Sequence, residues 1–497
     1  MPFSTPTEPY RPELHVTAES GVLNAPAGIL IDGSRWHIFH QYRPLQDAPY
    51  TPETTARWGH QVSEGNGFSW EECDDVLAPE GGELLVRAGS VVSTKAGSAR
   101  LYFTSVTKDG CSVHLAEIPD LEETADETSD DCTAVAQSVR RIGAVVDNST
   151  LNADGSASGL KDFRSPCVIP DWASTDDREE GHEGWLMLAV TGDSEHPTLA
   201  MAHSEDGLDW TIDGPLHFSG TSGLEDEQRL VSPRISRLRD EVDGKIYDVL
   251  LITVERDGID VSGYLVGRLE GTVFDVVQPF TRVDYGHDFT RPRTVYYTPG
   301  SASHEDRHDQ TALLGLVNGV GRYDDPAQHL SLQKEGWANA LSLPRVATLQ
   351  NQCLYQVPAQ KLIDEVAHTS HARSWTGVCD IPEGSAVVIS LVDENGNIAA
   401  TVTHKGTVLE LDRSMNPHHS GDPVATAPLS EVDTDSLGII VDGSVVEVFA
   451  DGGAVAMASR VYIDGECTAL EVDTQGEASI INCFERSGRS LNSPQNN

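Results

Sequence analysis

The chain has 497 residues, 38% of them hydrophobic, and 34 basic against 78 acidic side chains give a formal net charge of −44 at pH 7. This length supports a large core and two domains. The acidic balance argues against nucleic acid and anionic membrane as partners, because both require a basic face. No stretch approaches the ~18 consecutive apolar residues that cross a bilayer.

The amino-terminal residues lack the basic and apolar segments of a secretory signal, which favours a cytoplasmic location. Eight cysteines are scattered along the chain without a Cys-x-x-Cys pair, so neither a zinc site nor a redox motif is predicted. In the cytoplasm all eight thiols are expected to be reduced. No metal and no other cofactor is predicted.

Short β-type runs separated by Gly, Asp and Ser dominate the first part of the chain, and they predict an all-β fold. Examples are residues 28–42, 98–106, 184–190, 246–254 and 312–317. A strand followed by a polar turn and an aromatic residue recurs, as SEGNGFSW at 63–70 and SEDGLDW at 204–210. Such a recurrence is typical of the repeated blades of a β-propeller.

The pattern changes after Arg345. Residues 346–375 are predicted to be a linker, with a short helical stretch at 359–369. Alternating strands with Gly-Asp turns then predict an antiparallel β-sandwich over residues 376–488. The polar residues 489–497 are expected to form a disordered tail.

A series of motifs in one order resembles glycoside hydrolase family 32, the β-fructofuranosidases, invertases and levanases. In the first part these motifs are LNAPAG (23–28), WHIFHQYRP (36–44), WGH (58–60), AGSVV (88–92), FRSP (163–166), RLVSPRI (229–235), DYGHDF (284–289) and GWANALSLPR (336–345). In the second part they are VDGSVVEVF (441–449) and SRVY (459–462). The resemblance implies a five-bladed β-propeller over residues 13–345, a β-sandwich after it, and an axial funnel that binds fructosides such as sucrose, fructans and levan.

The three carboxylates that the family uses are replaced at the matching positions. Ala25 stands at the nucleophile position, Ser165 at the transition-state stabiliser and Val231 at the general acid/base. Retaining glycoside hydrolysis needs one carboxyl group to attack and another to transfer a proton, and these side chains do neither. Glu227 and Asp162 are the fallback candidates for an acid.

Other polar and aromatic positions match sugar contacts of the family. The resemblance implies substrate binding by Asn24, Gln41, Trp58, Arg164, Asp288 and Trp337. Each also has a structural interpretation: Asn24 as a turn cap, Arg164 as an ion-pair partner of Asp288 or Asp162, and the tryptophans as core.

Three hypotheses for function remain open at this point. The first is a catalytically impaired protein that binds or senses a carbohydrate, or modulates an active relative. The second is an active glycosidase on fructosides whose carboxylates have moved to Asp162, Glu227, Asp288 or Glu335. The third is a structural or oligomerisation module. The corresponding partners are a fructoside-like carbohydrate, further copies of the chain, or an active relative.

Overall fold

The computed structural model describes most of the chain, and almost all of its regular structure is β. The described residues are 8–46, 51–52, 55–65, 67–119, 121, 138–171, 184–256, 258–303, 306–318, 328–419, 421, 423–430 and 435–488. Three short helices occur in them: α1 (Asp306–Asp309), α2 (Leu330–Glu335) and α3 (Leu362–Val366). None of these helices has the length and apolar character that crossing a membrane requires.

The first part of the chain forms five four-stranded antiparallel groups, as expected of a five-bladed β-propeller. The first group contains β1 (Gly21–Asp32), β2 (Arg35–Arg43), β5 (Arg57–Glu64) and β6 (Glu71–Leu77). The second contains β7 (Leu85–Ser93), β8 (Ala99–Thr107), β9 (Gly110–Ile118) and β10 (Arg140–Val146). The third contains β11 (Arg164–Asp171), β12 (Gly184–Thr191), β13 (Thr198–Ser204) and β14 (Thr211–Pro215). A small hairpin joins β3 (Leu45–Gln46) to β4 (Thr51–Pro52).

The fourth and fifth groups continue the same pattern. The fourth group contains β16 (Leu230–Arg239), β17 (Ile246–Arg256), β18 (Ile259–Glu270) and β19 (Val273–Arg282), and β15 (His217–Ser219) extends it. The fifth group contains β20 (Phe289–Tyr297), β21 (Thr311–Val317), β24 (Arg345–Gln350) and β25 (Cys353–Pro358), with the short strands β22 (Trp337–Ala338) and β23 (Ala340–Leu341) alongside. β1 pairs in parallel with β20, so the first and last groups share one sheet.

The recurring turn seen in the sequence falls at equivalent places in two blades. Residues 65–70 connect β5 to β6, and residues 205–210 connect β13 to β14, in each case the third strand to the fourth. Phe68 and Trp210 of these turns are buried, and Trp70 is half-buried.

The structure changes the predicted domain boundary. Residues 346–375 were expected to be a linker, but they contain β24 and β25, which pair with each other and extend the fifth blade to Pro358. The predicted helix at 359–369 is present in shorter form as α3. The apolar alternation of β24 gives it a buried face, and a strand with a buried face joins a sheet instead of serving as a linker.

Two five-stranded sheets form the β-sandwich. One sheet contains β26 (Arg373–Asp380), β31 (Asp435–Asp442), β32 (Val445–Ala450), β33 (Val455–Arg460) and β35 (Ser479–Ser487), and the other contains β27 (Ala386–Val392), β28 (Ile398–His404), β29 (Val408–Asp412), β30 (Val424–Pro428) and β34 (Ala469–Gln475). Both inner faces contribute to a core that includes Trp375, Ile389, Val402 and Val448.

A buried network of charged side chains joins the two domains. Arg345 of the propeller contacts Glu447 of the sandwich at 2.7 Å and Asp284 at 2.8 Å, with all three side chains fully buried. His15 places Nδ1 2.7 Å from Asp442 and Nε2 3.2 Å from Glu447. A guanidinium and an imidazole therefore hold carboxylates at the domain interface where water does not reach.

The pKa of His15 reflects these contacts. Burial alone would lower it, but the hydrogen bonds to Asp442 and Glu447 outweigh burial and raise the pKa. Because the folded-state pKa is raised, the stabilisation from this imidazolium is complete below the unfolded pKa of about 6.5 and is lost as pH rises through the folded value. Burial would raise the pKa of Asp442, but the hydrogen bond from His15 holds it below its usual value.

Among the cysteines that the structure describes, one differs from the sequence expectation. Six are free thiols: Cys111, Cys167, Cys353, Cys379, Cys467 and Cys483. Cys73, in contrast, is disulfide-bonded. The expectation that every thiol is reduced is therefore wrong at Cys73, because pairing depends on which chain segments meet in space and not on local spacing.

The interface network predicts a large loss of stability on removal of one charge. Glu447→Gln leaves Arg345 and His15 facing a neutral amide in a buried site, and we expect the free energy of unfolding to fall by about 3–5 kcal/mol. Denaturant unfolding measures this change. Glu410→Gln, which removes one partner of the partly exposed Lys405–Glu410 pair, is the control and should cost less than about 1 kcal/mol. Equal effects of the two substitutions would contradict the prediction.

A second prediction concerns three buried histidines of the first blade. His37 Nδ1 lies 3.0 Å from His60 Nε2, and burial lowers the pKa of His37 to about 3. Burial also lowers the pKa of His40 to about 4. Since each folded-state pKa is depressed, the stabilisation is complete above the unfolded pKa of about 6.5 and is lost as pH falls towards the folded value.

We expect wild-type protein to lose stability relative to His40→Gln by about 1.4 kcal/mol per pH unit between about pH 6 and 4.5. The free energy of unfolding of both proteins, measured across this range, gives the difference. His196→Gln serves as control, since that side chain is 76% exposed. A difference between wild type and His40→Gln that stays constant with pH would show that His40 is already charged in the folded protein.

Candidate functional site

A ring of β-bulges surrounds the propeller axis, with two in the innermost strand of the first blade and one in that of each other blade. The register shifts lie between Leu23 and Ala25 and between Pro26 and Gly28 in β1, Arg87 and Ser90 in β7, Arg164 and Cys167 in β11, Val231 and Arg234 in β16, and Thr290 and Arg293 in β20. We call the residues Ala25, Gly89, Ser165, Ser232 and Arg291 the bulge ring. A bulge redirects a side chain at a strand end and is common beside active sites.

The local sequence explains why the strands bulge here. Ser165, Ser232 and Arg291 adopt left-handed φ values of 50°, 55° and 52°, and each stands immediately before a proline. At Gly89 a Cβ atom would lie 1.9 Å from the carbonyl oxygen of Tyr102, so only glycine fits. Strained backbone of this kind is concentrated at functional sites.

The positions that the family resemblance assigns to catalysis all fall at these bulges. Ala25 lies between the two shifts of β1, Ser165 lies inside the shift of β11, and Val231 is the last paired residue before the shift of β16. Ala25 is buried against Trp58 and Ala88 in one apolar cluster. Ser165 donates its backbone N–H to Thr104 Oγ1 at 2.9 Å.

Three arginines connect the blades around the ring. Arg234 of the fourth blade donates to the carbonyl oxygens of Ser165 in the third and Gly89 in the second. Arg293 of the fifth blade donates to Ser232 Oγ at 2.9 Å. Arg291 donates to the carbonyl of Asn24 at 3.4 Å and thereby reaches the first blade.

Three of the predicted substrate-binding residues lie beside the ring. Asn24 adjoins Ala25 and is 9% exposed, and its Oδ1 has no hydrogen-bond partner among the described residues. Gln41 Oε1 accepts the N–H of Ala88 at 2.8 Å. Trp58 is fully buried and donates Nε1–H to the carbonyl of Arg87 at 3.0 Å. Of these three, Asn24 is the one with a free acceptor.

Arg164 is held by main-chain carbonyls and not by a carboxylate. It donates to the carbonyl oxygens of Asp162, Gly192 and Asp193 at 2.9, 2.6 and 3.1 Å. The predicted ion pair with Asp288 or with the Asp162 carboxylate is therefore not the arrangement found. Burial lowers the pKa of Arg164, yet the residue remains partly exposed.

Asp288 and Trp337 lie at the interface between propeller and sandwich, away from the bulge ring. Asp288 Oδ2 contacts Arg413 at 2.9 Å and accepts the backbone N–H of Arg460 at 2.7 Å. Trp337 is fully buried, donates Nε1–H to Glu335 at 2.8 Å, and packs beneath the guanidinium of Arg460. Their surroundings favour the structural interpretation of both residues.

The other candidate carboxylates have structural partners. Glu227 is bound by Arg256 through both carboxylate oxygens, and Asp162 Oδ1 accepts the N–H of Cys111 at 3.1 Å. Sequence reasoning missed Asp260, which lies 3.1 Å from Arg291 and accepts a hydrogen bond from Thr290. No motif marks Asp260, because β18 brings it to the ring only in the folded sheet.

One group of side chains in the sandwich has the composition of a cation site. Ligand atoms of His404, Asp435 and Asp451 lie within 4.8 Å of one another. However, His404 Nδ1 accepts the N–H of Gly406 at 3.1 Å, so Nε2 carries the proton and donates to Asp451 at 3.2 Å. A metal needs the lone pair of Nε2, and this tautomer therefore fits a hydrogen-bonded pair better than a metal centre.

The structural class is a β-propeller with a bulged axial ring, followed by a β-sandwich. Comparison with known proteins gives the family. The description “Glycosyl hydrolases family 32 N-terminal domain” matches residues 15–358, and “Glycosyl hydrolases family 32 C terminal” matches residues 391–485. The chain belongs to glycosyl hydrolase family 32.

Relatives of known name share about a quarter of their residues with this chain. The sucrose-6-phosphate hydrolase of Bacillus subtilis is 24% identical over 92% of this chain and 90% of its own length. The probable sucrose-6-phosphate hydrolase of Psychromonas ingrahamii is 24% identical over 97% of this chain and 82% of its own.

Solved structures show the same fold over the whole chain. The exo-inulinase of Aspergillus awamori superposes with a TM-score of 0.73 at 17% identity, covering 97% of this chain and 98% of its own. A Bombyx mori β-fructofuranosidase variant in complex with sucrose superposes with a TM-score of 0.70 at 19% identity, covering 97% and 95%.

Proposed function

We propose that this protein is a catalytically impaired member of the fructosidase family that binds a fructoside-like carbohydrate and acts as a binding or regulatory protein. The observation that carries the proposal is the chemistry of the bulge ring, in which Ala25, Gly89, Ser165, Ser232 and Arg291 offer no carboxyl group. A retaining mechanism needs two carboxyl groups ≈ 5–5.5 Å apart across the scissile bond.

The expected size of the defect is large. Loss of one member of a catalytic unit can lower the rate by about 10⁶, which corresponds to roughly 8 kcal/mol of transition-state stabilisation. Losses within one unit are not additive, so a single replacement already removes most of the turnover. Ala25 alone is then sufficient to stop the family mechanism.

Support for binding comes from groups that remain able to contact a sugar. Asn24 Oδ1 is a buried acceptor without a partner among the described residues, and a sugar hydroxyl is a donor of the size and polarity that it requires. Arg164, which precedes Ser165 in the sequence, is partly exposed. A pocket that keeps such donors and acceptors can bind a polar ligand without carrying out hydrolysis.

Solved relatives provide a parallel. The Bombyx mori structure in complex with sucrose is an Asp-to-Ala variant, and a Schwanniomyces occidentalis fructofuranosidase with Glu replaced by Ala is complexed with fructosylnystose. In those proteins a carboxylate-to-alanine change is compatible with a bound saccharide. We infer the same for this chain, whose replacements are natural.

The hypothesis of an active enzyme with relocated catalytic carboxylates gains no support from the surroundings of the candidate residues. A catalytic pair must face one reacting bond from two sides, whereas Glu227 is committed to Arg256 and Asp288 to Arg413. Glu335 accepts the N–H of Tyr10 and of the Trp337 indole. A cytoplasmic location, and association with further copies or an active relative, stay predictions from the sequence.

The activity prediction is tested with purified protein, sucrose, inulin and levan, in the presence and absence of formate or azide. We expect no release of fructose under any condition, because no group on the ring can attack or donate a proton. A levanase in the same assay is the positive control. Turnover without added anion would contradict the proposal, and turnover only with the anion would locate the defect at Ala25 and show that a general acid survives.

The binding prediction is tested by calorimetric titration with fructose and sucrose. Asn24→Ala removes the unpaired acceptor, and we expect at least about a tenfold loss of affinity with little change in thermal stability. Asn395→Ala, in an exposed turn of the sandwich, is the matched control and should bind like wild type. Absence of saccharide binding by the wild-type protein would refute the proposal and favour a structural role.

A further inference from the structure

A cavity of about 670 Å³ lies on the propeller axis. The inner strands start on one side of the bulge ring, and the cavity lies on the other side. Its walls are the residues that follow each bulge: Ala27–Gly28, Ser90–Val91, Cys167–Pro170, Arg234–Arg237 and Arg293–Tyr297. We call it the axial cavity. The saccharide site proposed above lies on the other side of the ring, so the axial cavity is a separate space.

Two buried arginines at the ring end of this cavity have no ion-pair partner in the described part of the chain. Arg234 is 4% exposed and Arg293 is 3% exposed. Arg234 donates to the carbonyls of Gly89, Pro233 and Ser165, and Arg293 to those of Pro292 and Arg291 and to Ser232 Oγ. The Nε atom of each is buried without a hydrogen-bond partner.

Other arginines of the protein have carboxylate partners. Arg345 contacts Glu447 and Asp284, and Arg413 contacts Asp288. Arg237 lines the same axial cavity but lies 2.7 Å from Asp248. Buried Arg460 instead donates to the hydroxyls of Ser444 and Tyr462 and stacks on Trp337. Arg234 and Arg293 have neither kind of compensation, and an uncompensated buried charge is costly unless a counter-ion or water-filled space accompanies it.

Electrostatics within the cavity strengthen this point. Burial lowers the pKa of Arg234 to about 10. Burial and the charge of Arg234 together lower the pKa of Arg293. The two guanidinium groups therefore repel each other in a medium that solvates them poorly, and an anion between them would relieve both effects.

We propose that the axial cavity binds a small oxyanion, phosphate in its simplest form, between Arg234 and Arg293. Guanidinium groups present planar donors that match oxyanion geometry, and the hydroxyl of Ser236 on the cavity wall adds a further donor. Lys95 and Arg307 line the cavity as well, and Lys95 is exposed, so the entrance is also basic. The oxyanion is either a free ion or the phosphate of a phosphorylated sugar.

The first test is calorimetric titration of the full chain with inorganic phosphate, with chloride as the buffer anion. We expect saturable binding by wild type, and at least about a tenfold weaker affinity for Arg234→Gln and for Arg293→Gln. Arg237→Gln is the matched control, because its charge is already neutralised by Asp248, and it should bind like wild type. Unchanged affinity in both variants, or no binding by wild type, overturns the proposal.

Competition experiments with fructose 6-phosphate and with fructose distinguish the two sources of the oxyanion, a free ion and the phosphate of a phosphorylated sugar. Competition of fructose 6-phosphate with inorganic phosphate shows that a sugar-linked phosphate enters the cavity, whereas competition by phosphate and sulfate alone assigns the site to the free ion. Asn24→Ala should leave phosphate binding unchanged. Failure of saccharide binding and failure of the oxyanion site are therefore distinguishable.

A crystallographic test does not depend on the folding of any variant. Crystals of wild-type protein soaked in selenate should show an anomalous peak within hydrogen-bond distance of both Arg234 and Arg293. Peaks confined to the protein surface, or an adventitious ion only, with no saturable phosphate binding in solution, would overturn the proposal.

Discussion

The innermost strand of every blade must bend where it reaches the propeller axis, and the protein satisfies this constraint with β-bulges in all five of these strands. Left-handed φ values at Ser165, Ser232 and Arg291 and the absence of a side chain at Gly89 make the bends possible. Bulges of this kind are common beside active sites. The proposed loss of catalysis is compatible with the retained fold, since scaffold and function are separable.

The interdomain contact is the second feature on which the structure depends. A buried network of charged side chains connects propeller and sandwich, and its members are Arg345, Glu447, Asp284, His15 and Asp442. Removing one partner of such a set leaves the others uncompensated. Asp288, bound to Arg413, and Trp337, packed beneath Arg460, lie at the same interface, so two residues of the sequence motifs serve the interface here.

The distribution of charge along the axis runs against the composition of the whole chain. The protein carries a net charge of −44, yet Arg164, Arg234, Arg291 and Arg293 surround the bulge ring. At physiological salt, charges act over about 8 Å, so a local basic site persists inside an acidic protein. Asp260 pairs with Arg291, whereas the buried guanidinium groups of Arg234 and Arg293 have no carboxylate partner among the described residues, and such surroundings favour neutral or anionic ligands.

The order of motifs in the sequence was sufficient to predict an all-β fold with a propeller before a sandwich, whereas the assignment of Ala25, Ser165 and Val231 to the catalytic positions stays a prediction. Those inferences succeed because strand alternation and turn residues are local properties of the chain. The linker at 346–375 was wrong, since pairing of β24 with β21 depends on a partner some thirty residues away in sequence. The tertiary structure alone decided which charges meet. It places Asp260 beside Arg291 and Asp288 beside Arg413, and it leaves Arg234 and Arg293 without a carboxylate beside them among the described residues. The partner of a buried charge is whatever group the packed domains bring within a few ångströms of it, and the chain order does not encode that distance.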